Sequence, residues 1–188
     1  MTVGVLALQG AFIEHEAMLQ GIGVPTRQIR LPRDLDGIER LIIPGGESTT
    51  IGKLMVMYDL LQPLRDRINA GMPTWGTCAG AILMSRRIVD GRPDQPSLQV
   101  MDIETRRNAF GSQLDSFEVD IEMTGLDAPF HTVFIRAPIL ENPGPTCSVL
   151  ARLADGRIVA ARQGHLLATS FHPELTDDDR IHRYFLTI

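Results

Sequence analysis

The chain has 188 residues, 44% of them hydrophobic and 22% charged, with a net charge of -5. At about 150 residues per domain this is a single domain over residues 1–188, large enough to bury roughly 70% of its unfolded surface without a disulfide or metal staple. The acidic balance excludes a broad basic nucleic-acid footprint, and the ordinary hydrophobic fraction excludes wholesale disorder. Two cysteines, Cys78 and Cys147, exclude a disulfide scaffold and fit a reduced, cytoplasmic setting. The first basic residue is Arg27 and the apolar run 3–8 is far too short to span a bilayer, so neither a signal peptide nor a membrane segment is expected.

In chain order, residues 3–8 read as a buried strand, a short apolar run without polar alternation, broken by Gln9-Gly10. Residues 11–22 carry a loosely helical apolar pattern closed by Gly21 and Gly23. Strands follow at 26–31 and 41–43, the second stopped by Pro44-Gly45-Gly46; a helix over 50–69 is expected to break near Pro63. A fourth strand at 73–77 runs into a helix at 79–85. This alternation predicts a parallel sheet covered on both faces. The second half predicts strands at 117–123, 132–136, 147–153, 157–162 and 166–171, with Asp155-Gly156 marking a tight hairpin. Asp177, Asp178 and Asp179 read as the start of a closing helix over 177–186. The expected fold is α/β: a mostly parallel mixed sheet flanked by helices, with an antiparallel meander in the C-terminal half.

The sharpest chemical signal is Gly76-Thr77-Cys78-Ala79-Gly80 at a strand-to-helix junction. A nucleophile placed on so sharp a turn needs glycines two residues either side, where a Cβ would collide. The N–H of Ala79, next after the nucleophile, is then placed to stabilise an oxyanion, and the helix N-terminus favours a thiolate. The competing reading is a buried structural cysteine between packing glycines.

A cysteine nucleophile needs a base, and five histidines are available: His15, His131, His165, His172 and His182. His15, in a polar stretch of the first helix, and His182, in the last helix, read as surface residues; His131 stands at a strand entrance and His165 in a turn. His172 follows a strand directly in Ser170-Phe171-His172-Pro173-Glu174. Proline restricts His172 to extended backbone, which puts Glu174 on the same side of the chain, where it can orient the ring as the third member of a triad. The competing reading is a surface His-Pro-Glu turn.

The Pro44-Gly45-Gly46-Glu47-Ser48-Thr49-Thr50 loop also ends a strand, and its N–H groups are candidates for the other half of an oxyanion hole. It does not have phosphate-loop spacing, no dinucleotide fingerprint is present, and no cofactor or metal is expected. Arg107, or its neighbour Arg106, and Arg136 at the end of an apolar strand are candidates for holding a small-molecule carboxylate; a solvated surface charge is the alternative.

Taken together, Gly-x-Cys-x-Gly, a distant His-Pro-Glu and a Pro-Gly-Gly-Glu loop resemble the class I, triad-type glutamine amidotransferases. Leu6-Ala7-Leu8-Gln9-Gly10-Ala11 with Glu14-His15, Arg107-Asn108-Ala109-Phe110-Gly111, Asp115-Ser116-Phe117-Glu118 and Phe134-Ile135-Arg136-Ala137-Pro138 narrow this. With them the chain is similar to the glutaminase-subunit family of pyridoxal 5′-phosphate synthases. The resemblance implies hydrolysis of L-glutamine to L-glutamate and ammonia through a glutamyl thioester, with Cys78 as nucleophile, His172 as proton shuttle and Glu174 orienting it. It implies oxyanion donors at Gly46 and Ala79, and a glutamine pocket lined by Gly46, Glu47, Ser48, Arg107, Ile135 and Arg136. It also implies ammonia delivery to a separate barrel-type synthase subunit in a large hetero-oligomer. Gln9, on the turn that ends a neighbouring strand, is the expected activation contact. The alternatives are a glutaminase subunit of another pathway, such as histidine synthesis, and a non-enzymatic member of the same α/β fold.

Overall fold

The computed structural model describes residues 1–107 and 116–188. Asn108-Ala109-Phe110-Gly111 and Asp115, part of the resemblance, lie outside the described residues.

The first half builds a parallel layer from β1 (Val3–Leu6), β2 (Thr26–Ile29), β3 (Arg40–Ile43) and β4 (Thr74–Thr77). These are connected through α1 (Phe12–Gly21), α2 (Ser48–Met57) and α3 (Leu61–Asn69), and β4 feeds α4 (Ala79–Met84). The inner strands β1, β3 and β4 are buried on both faces, while β2 forms a partly exposed edge. On β3, Leu41 and Ile43 enter one core while Ile42 enters the other, beside Val3, Val5 and Trp75. A parallel strand sandwiched by helices is apolar at nearly every position, which is why β1 and β3 read as continuous runs.

The rest of the main sheet comprises β5 (Ser85–Val89), β6 (Met101–Arg106), β9 (Ile139–Glu141), β10 (Ser148–Arg152), β11 (Ile158–Gln163) and β12 (Leu166–Thr169). Its order is β2-β1-β3-β4-β12-β11-β9-β6-β5, with β10 also on β11. Strands β2, β1, β3, β4 and β12 are parallel neighbours, whereas β10–β11–β12 is the expected antiparallel meander. The meander's last strand therefore completes the parallel layer. Among the described residues, β7 (Ser116–Ile121) and β8 (Phe130–Ile135) pair apart from the main sheet as an antiparallel hairpin, with Phe117 stacked on Phe134 at 4.5 Å between centroids. The chain closes with α5 (Arg180–Leu186).

Three expectations change. The helix over 50–69 is two helices, and the break lies at residues 58–60, where Asp59 adopts φ 55°, rather than at Pro63. Pro63 sits in the first turn of α3, where its missing N–H costs nothing. The helix expected at 79–85 stops at Met84, and β5, β6 and β9 form an unexpected flank of the sheet, although β6 alternates buried Met101, Ile103 and Thr105 with charged residues. The closing helix starts at Arg180 instead of residue 177, because the Asp178 carboxylate turns back to accept from the Arg180 N–H and guanidinium.

Candidate active site

The nucleophile elbow has the predicted geometry. Cys78 has φ 48° and ψ −103°, a strained conformation for a residue with a Cβ. A Cβ on Gly76 would lie 2.5 Å from the Gly80 carbonyl carbon, and one on Gly80 would lie 1.9 Å from the Ile43 carbonyl oxygen. The elbow is anchored by the Cys78 N–H donating to the Thr169 carbonyl of β12 at 2.8 Å. Ala79 is the first residue of α4, where an N–H has no intrahelical partner.

The second element comes from the far end of the chain. The His172 N–H donates to the Val133 carbonyl of β8 at 2.8 Å, fixing the backbone, and Nδ1 lies 2.7 Å from Glu174 Oε1. His172 has φ −111° and ψ 82°, outside the helical region as expected before proline, but residues 173–175 form a tight 3₁₀ turn, and that turn brings Glu174 to the ring. Both side chains are buried. Burial penalises the imidazolium, yet hydrogen bonding to Cys78 and Glu174 outweighs it and pushes the His172 pKa up to about 10. Burial likewise opposes ionisation of Glu174, but His15 and His172 hold its carboxyl below the usual range.

The Gly45–Gly46 loop closes the third side. A Cβ on Gly45 would lie 2.3 Å from His172 Cε1 and 3.4 Å from the Cys78 Cβ, so only glycine admits the ring this close. The Gly45 N–H donates to Thr77 Oγ1 at 3.0 Å, and the Gly45 carbonyl accepts from the Ala11 N–H at 3.0 Å. Ala11 follows β1 and Cys78 follows β4, on opposite sides of β3. In a trans peptide the N–H opposes the carbonyl, so the Gly46 N–H faces the Cys78 side. Gln9 Oε1 accepts from the Glu47 N–H at 2.8 Å. Glu47 caps α2, accepting from the Thr49 and Thr50 N–H groups and the Thr50 hydroxyl; against the cost of burial these bonds hold its carboxyl low.

These pieces surround one cavity of about 310 Å³ lined by Gln9, Gly46, Glu47, Ser48, Cys78, Ile82, Arg107, Ile135, Arg136 and His172. That volume is at the small end for ligand pockets and suits an amino acid. The structure also separates the two arginines. Arg107 reaches Gln95 at 3.0 Å, Thr49 at 3.3 Å and Glu47 at 3.4 Å, whereas Arg106 pairs with Glu141 and Asp90 away from the cavity. Arg136 has φ 42°, a second strained residue at the rim. Sequence reasoning missed Ile82, one helical turn beyond Cys78, and Gln95, which bridges Ser48 and Arg107 from an irregular segment without signal. The surface assignments of His15 and His182 are overturned: both are fully buried, with His15 beside Glu174. Trp75 of β4 lies edge-on to both rings, at 5.4 Å from His15 and 4.9 Å from His182 between centroids. His131 pairs with Glu118 and Asp120 on the hairpin, and His165 with the Ile68 carbonyl.

Among the described residues no group of side chains is arranged to hold a metal ion, and no helix is long and apolar enough to cross a membrane. The chain is 67% identical over 189 residues to the pyridoxal 5′-phosphate synthase subunit PdxT of Roseiflexus sp. (strain RS-1), covering all of both chains. It is 56% identical over 190 residues to the protein of that name from Chloroflexus aurantiacus, again covering both completely. A crystal structure of a glutamine amidotransferase superposes with a TM-score of 0.93 at 52% identity, over 98% of this chain and 97% of that one. PurLQS from Thermotoga maritima shares the fold at a TM-score of 0.68 and 15% identity, over 99% of this chain and 97% of that one. Residues 5–188 match the SNO glutamine amidotransferase family, and with the elbow, the His-Pro-Glu turn and full-length relatives in agreement, the chain belongs to that family.

Proposed function

We propose that the chain is, over residues 1–188, the glutaminase subunit of a pyridoxal 5′-phosphate synthase, hydrolysing L-glutamine to L-glutamate and ammonia. The observation that carries this is Cys78 on its strained elbow and His172, bonded to Glu174, lining the same amino-acid-sized cavity. The name shared by the full-length relatives supplies the pathway.

Glutamine enters with its α-carboxylate toward Arg107 and its carboxamide toward Cys78, with Glu47, Ser48, Ile135 and Arg136 shaping the pocket. The Cys78 sulfur attacks the carboxamide carbon with its proton already held on His172. The carbonyl oxygen takes the negative charge and is met by the Gly46 and Ala79 N–H groups. His172 then protonates the amide nitrogen, the C–N bond breaks, and ammonia leaves a glutamyl thioester. Water attacks the thioester with His172 as base, and glutamate departs with the sulfur regenerated. Glu174 orients His172 and favours its charged form throughout. Ammonia passes to a separate, barrel-shaped synthase subunit in a large hetero-oligomer, in the cytoplasm; no cofactor takes part in this subunit's reaction.

The test is Cys78→Ala assayed in complex with the synthase subunit. Glutamine-dependent product formation is expected to vanish while formation from added ammonium salts persists. Glutamine-dependent turnover near the wild-type rate overturns the assignment.

A further inference from the structure

Behind Glu174 the interior holds two imidazoles that the reaction above does not use. His15 from α1 and His182 from α5 are both completely buried, and burying polar rings is costly unless their bonds are satisfied. His15 Nδ1 lies 3.0 Å from His182 Nε2. His15 Nε2 lies 3.2 Å from Thr77 Oγ1 and 3.4 Å from Glu174 Oε2. Glu174 Oε1 is committed to His172, which leaves Oε2 with no conventional hydrogen bond of its own.

The proton positions follow by elimination. A carboxylate only accepts. Were His15 protonated at Nδ1 alone, its bare Nε2 would accept from the Thr77 hydroxyl, but His182 would then carry a buried Nδ1–H with no acceptor. With the proton on Nε2, His15 donates to Thr77 Oγ1 and turns the same N–H edge toward Oε2, while Nδ1 accepts from the Nε2–H of His182. Only an acceptor lone pair on His182 is then orphaned, which costs less than an orphaned donor. Burial keeps both rings neutral, lowering His15 against the pull of Glu174 and taking His182 down to about 3. The titratable groups facing His15 are Glu174 and His172, His182 from α5, and Glu14 of its own helix; Asp179 faces His182.

We infer that His15, held as its Nε2–H tautomer by His182, is a positioning residue for Glu174, turning an N–H toward the otherwise unpartnered second carboxylate oxygen so that the first stays on His172. The inference rests on the triad reading above. Glu174 sits on a three-residue 3₁₀ turn, and one bond to His172 leaves its carboxylate plane free to swing. A second donor fixes that plane and stabilises the ionised form. Neutrality matters, because a charged His15 would compete with His172 for the same carboxylate. The cluster also touches the oxyanion loop, since Thr77 Oγ1 accepts from the Gly45 N–H.

The test compares wild type with His15→Leu, His15→Gln, His182→Phe and Cys78→Ala, each in complex with the synthase subunit, by glutaminase kinetics across pH. His15→Leu is expected to lower kcat about tenfold to a hundredfold, as loss of an orienting partner does elsewhere. KM for glutamine should stay within about threefold, because His15 does not line the cavity. The acid limb of kcat/KM should move to higher pH, since ionised Glu174 has lost a donor. His15→Gln, whose amide N–H falls near the lost Nε2–H, should recover most of kcat and the limb; His182→Phe should move the limb the same way by less. If His15→Leu shows no cooperative thermal transition, the Gln and Phe variants decide. A folded His15→Leu enzyme with wild-type kcat and an unmoved limb, a Gln variant no better than Leu, or an unmoved limb in His182→Phe overturns the inference. Activity in Cys78→Ala would instead overturn the triad reading, a separate outcome.

Discussion

Cys78 holds a backbone conformation that costs energy in any residue but glycine, and the strain is maintained because the N–H is tied to β12 and both flanking glycines are wedged against backbone. The same precision makes single-atom changes informative. Glu174→Gln keeps shape and hydrogen bonding but removes the charge that favours a protonated His172, so kcat should fall about 10²–10⁴-fold, and His172→Asn should cost at least as much. Steady-state glutaminase rates decide this, and a full rate in either variant contradicts the triad. Cys147 donates to the Asp102 carbonyl in the meander flank, so Cys147→Ser should retain activity. The positions of Cys78, His172 and Glu174 were legible because proline and glycine fix backbone geometry locally and so mark these candidate triad members in sequence. His15 was not legible: a histidine among polar neighbours in a short helix gives no sign that α5, 167 residues on, will close over it.

At the scale of elements, the parallel strands and the elbow were readable because two-faced burial and tight turns leave local signatures. In the flank, β6 alternates buried Met101, Ile103 and Thr105 with half-buried charges and was legible, whereas β5 carries two exposed arginines and β9 has three residues, too little for periodicity to mark them. The elbow helix packs on β3 at its closest where Gly80 faces the Ile43 carbonyl. Gly80→Ala forces backbone apart and should destabilise the fold by about 1–3 kcal/mol, read from denaturant midpoints, with activity lost as the elbow shifts. The α1–α5 contact carries a pH signature of its own. His182 is neutral when folded, with its pKa lowered to about 3, while an unfolded histidine titrates near 6.5. Between those values the unfolded state binds the extra proton, so stability falls as pH drops below about 6.5. At pH 5 this amounts to about 2 kcal/mol, or roughly 4–8 °C in Tm. His182→Phe should flatten the decline in Tm between pH 7 and pH 5; an equally steep decline means the ring is not buried neutral.

For the whole molecule the question is how a glutaminase avoids spending glutamine when no acceptor of ammonia is bound. The Gly45–Gly46 peptide offers the control point, because glycine on both sides lets it rotate at little steric cost. One orientation has the Gly45 carbonyl on Ala11 and the Gly46 N–H toward Cys78, with Gln9 steadying the loop through the Glu47 N–H. Rotation breaks chiefly the Ala11 bond, a net cost of about 1 kcal/mol, and turns the donor away from the oxyanion. A missing oxyanion donor lowers the rate about 10²–10³-fold, or roughly 3–4 kcal/mol at 1.36 kcal/mol per decade. A bias of about 1.4 kcal/mol toward the rotated state in the free subunit lowers its rate tenfold, and we propose that a synthase contact at the 9–11 turn reverses that bias. The isolated chain is expected to bind glutamine weakly and turn it over slowly. Adding the synthase subunit should raise kcat at least tenfold, and Gln9→Ala should blunt that gain. Steady-state kinetics with and without the synthase subunit test the idea, since equal free and complexed rates would leave no switch for the loop to perform.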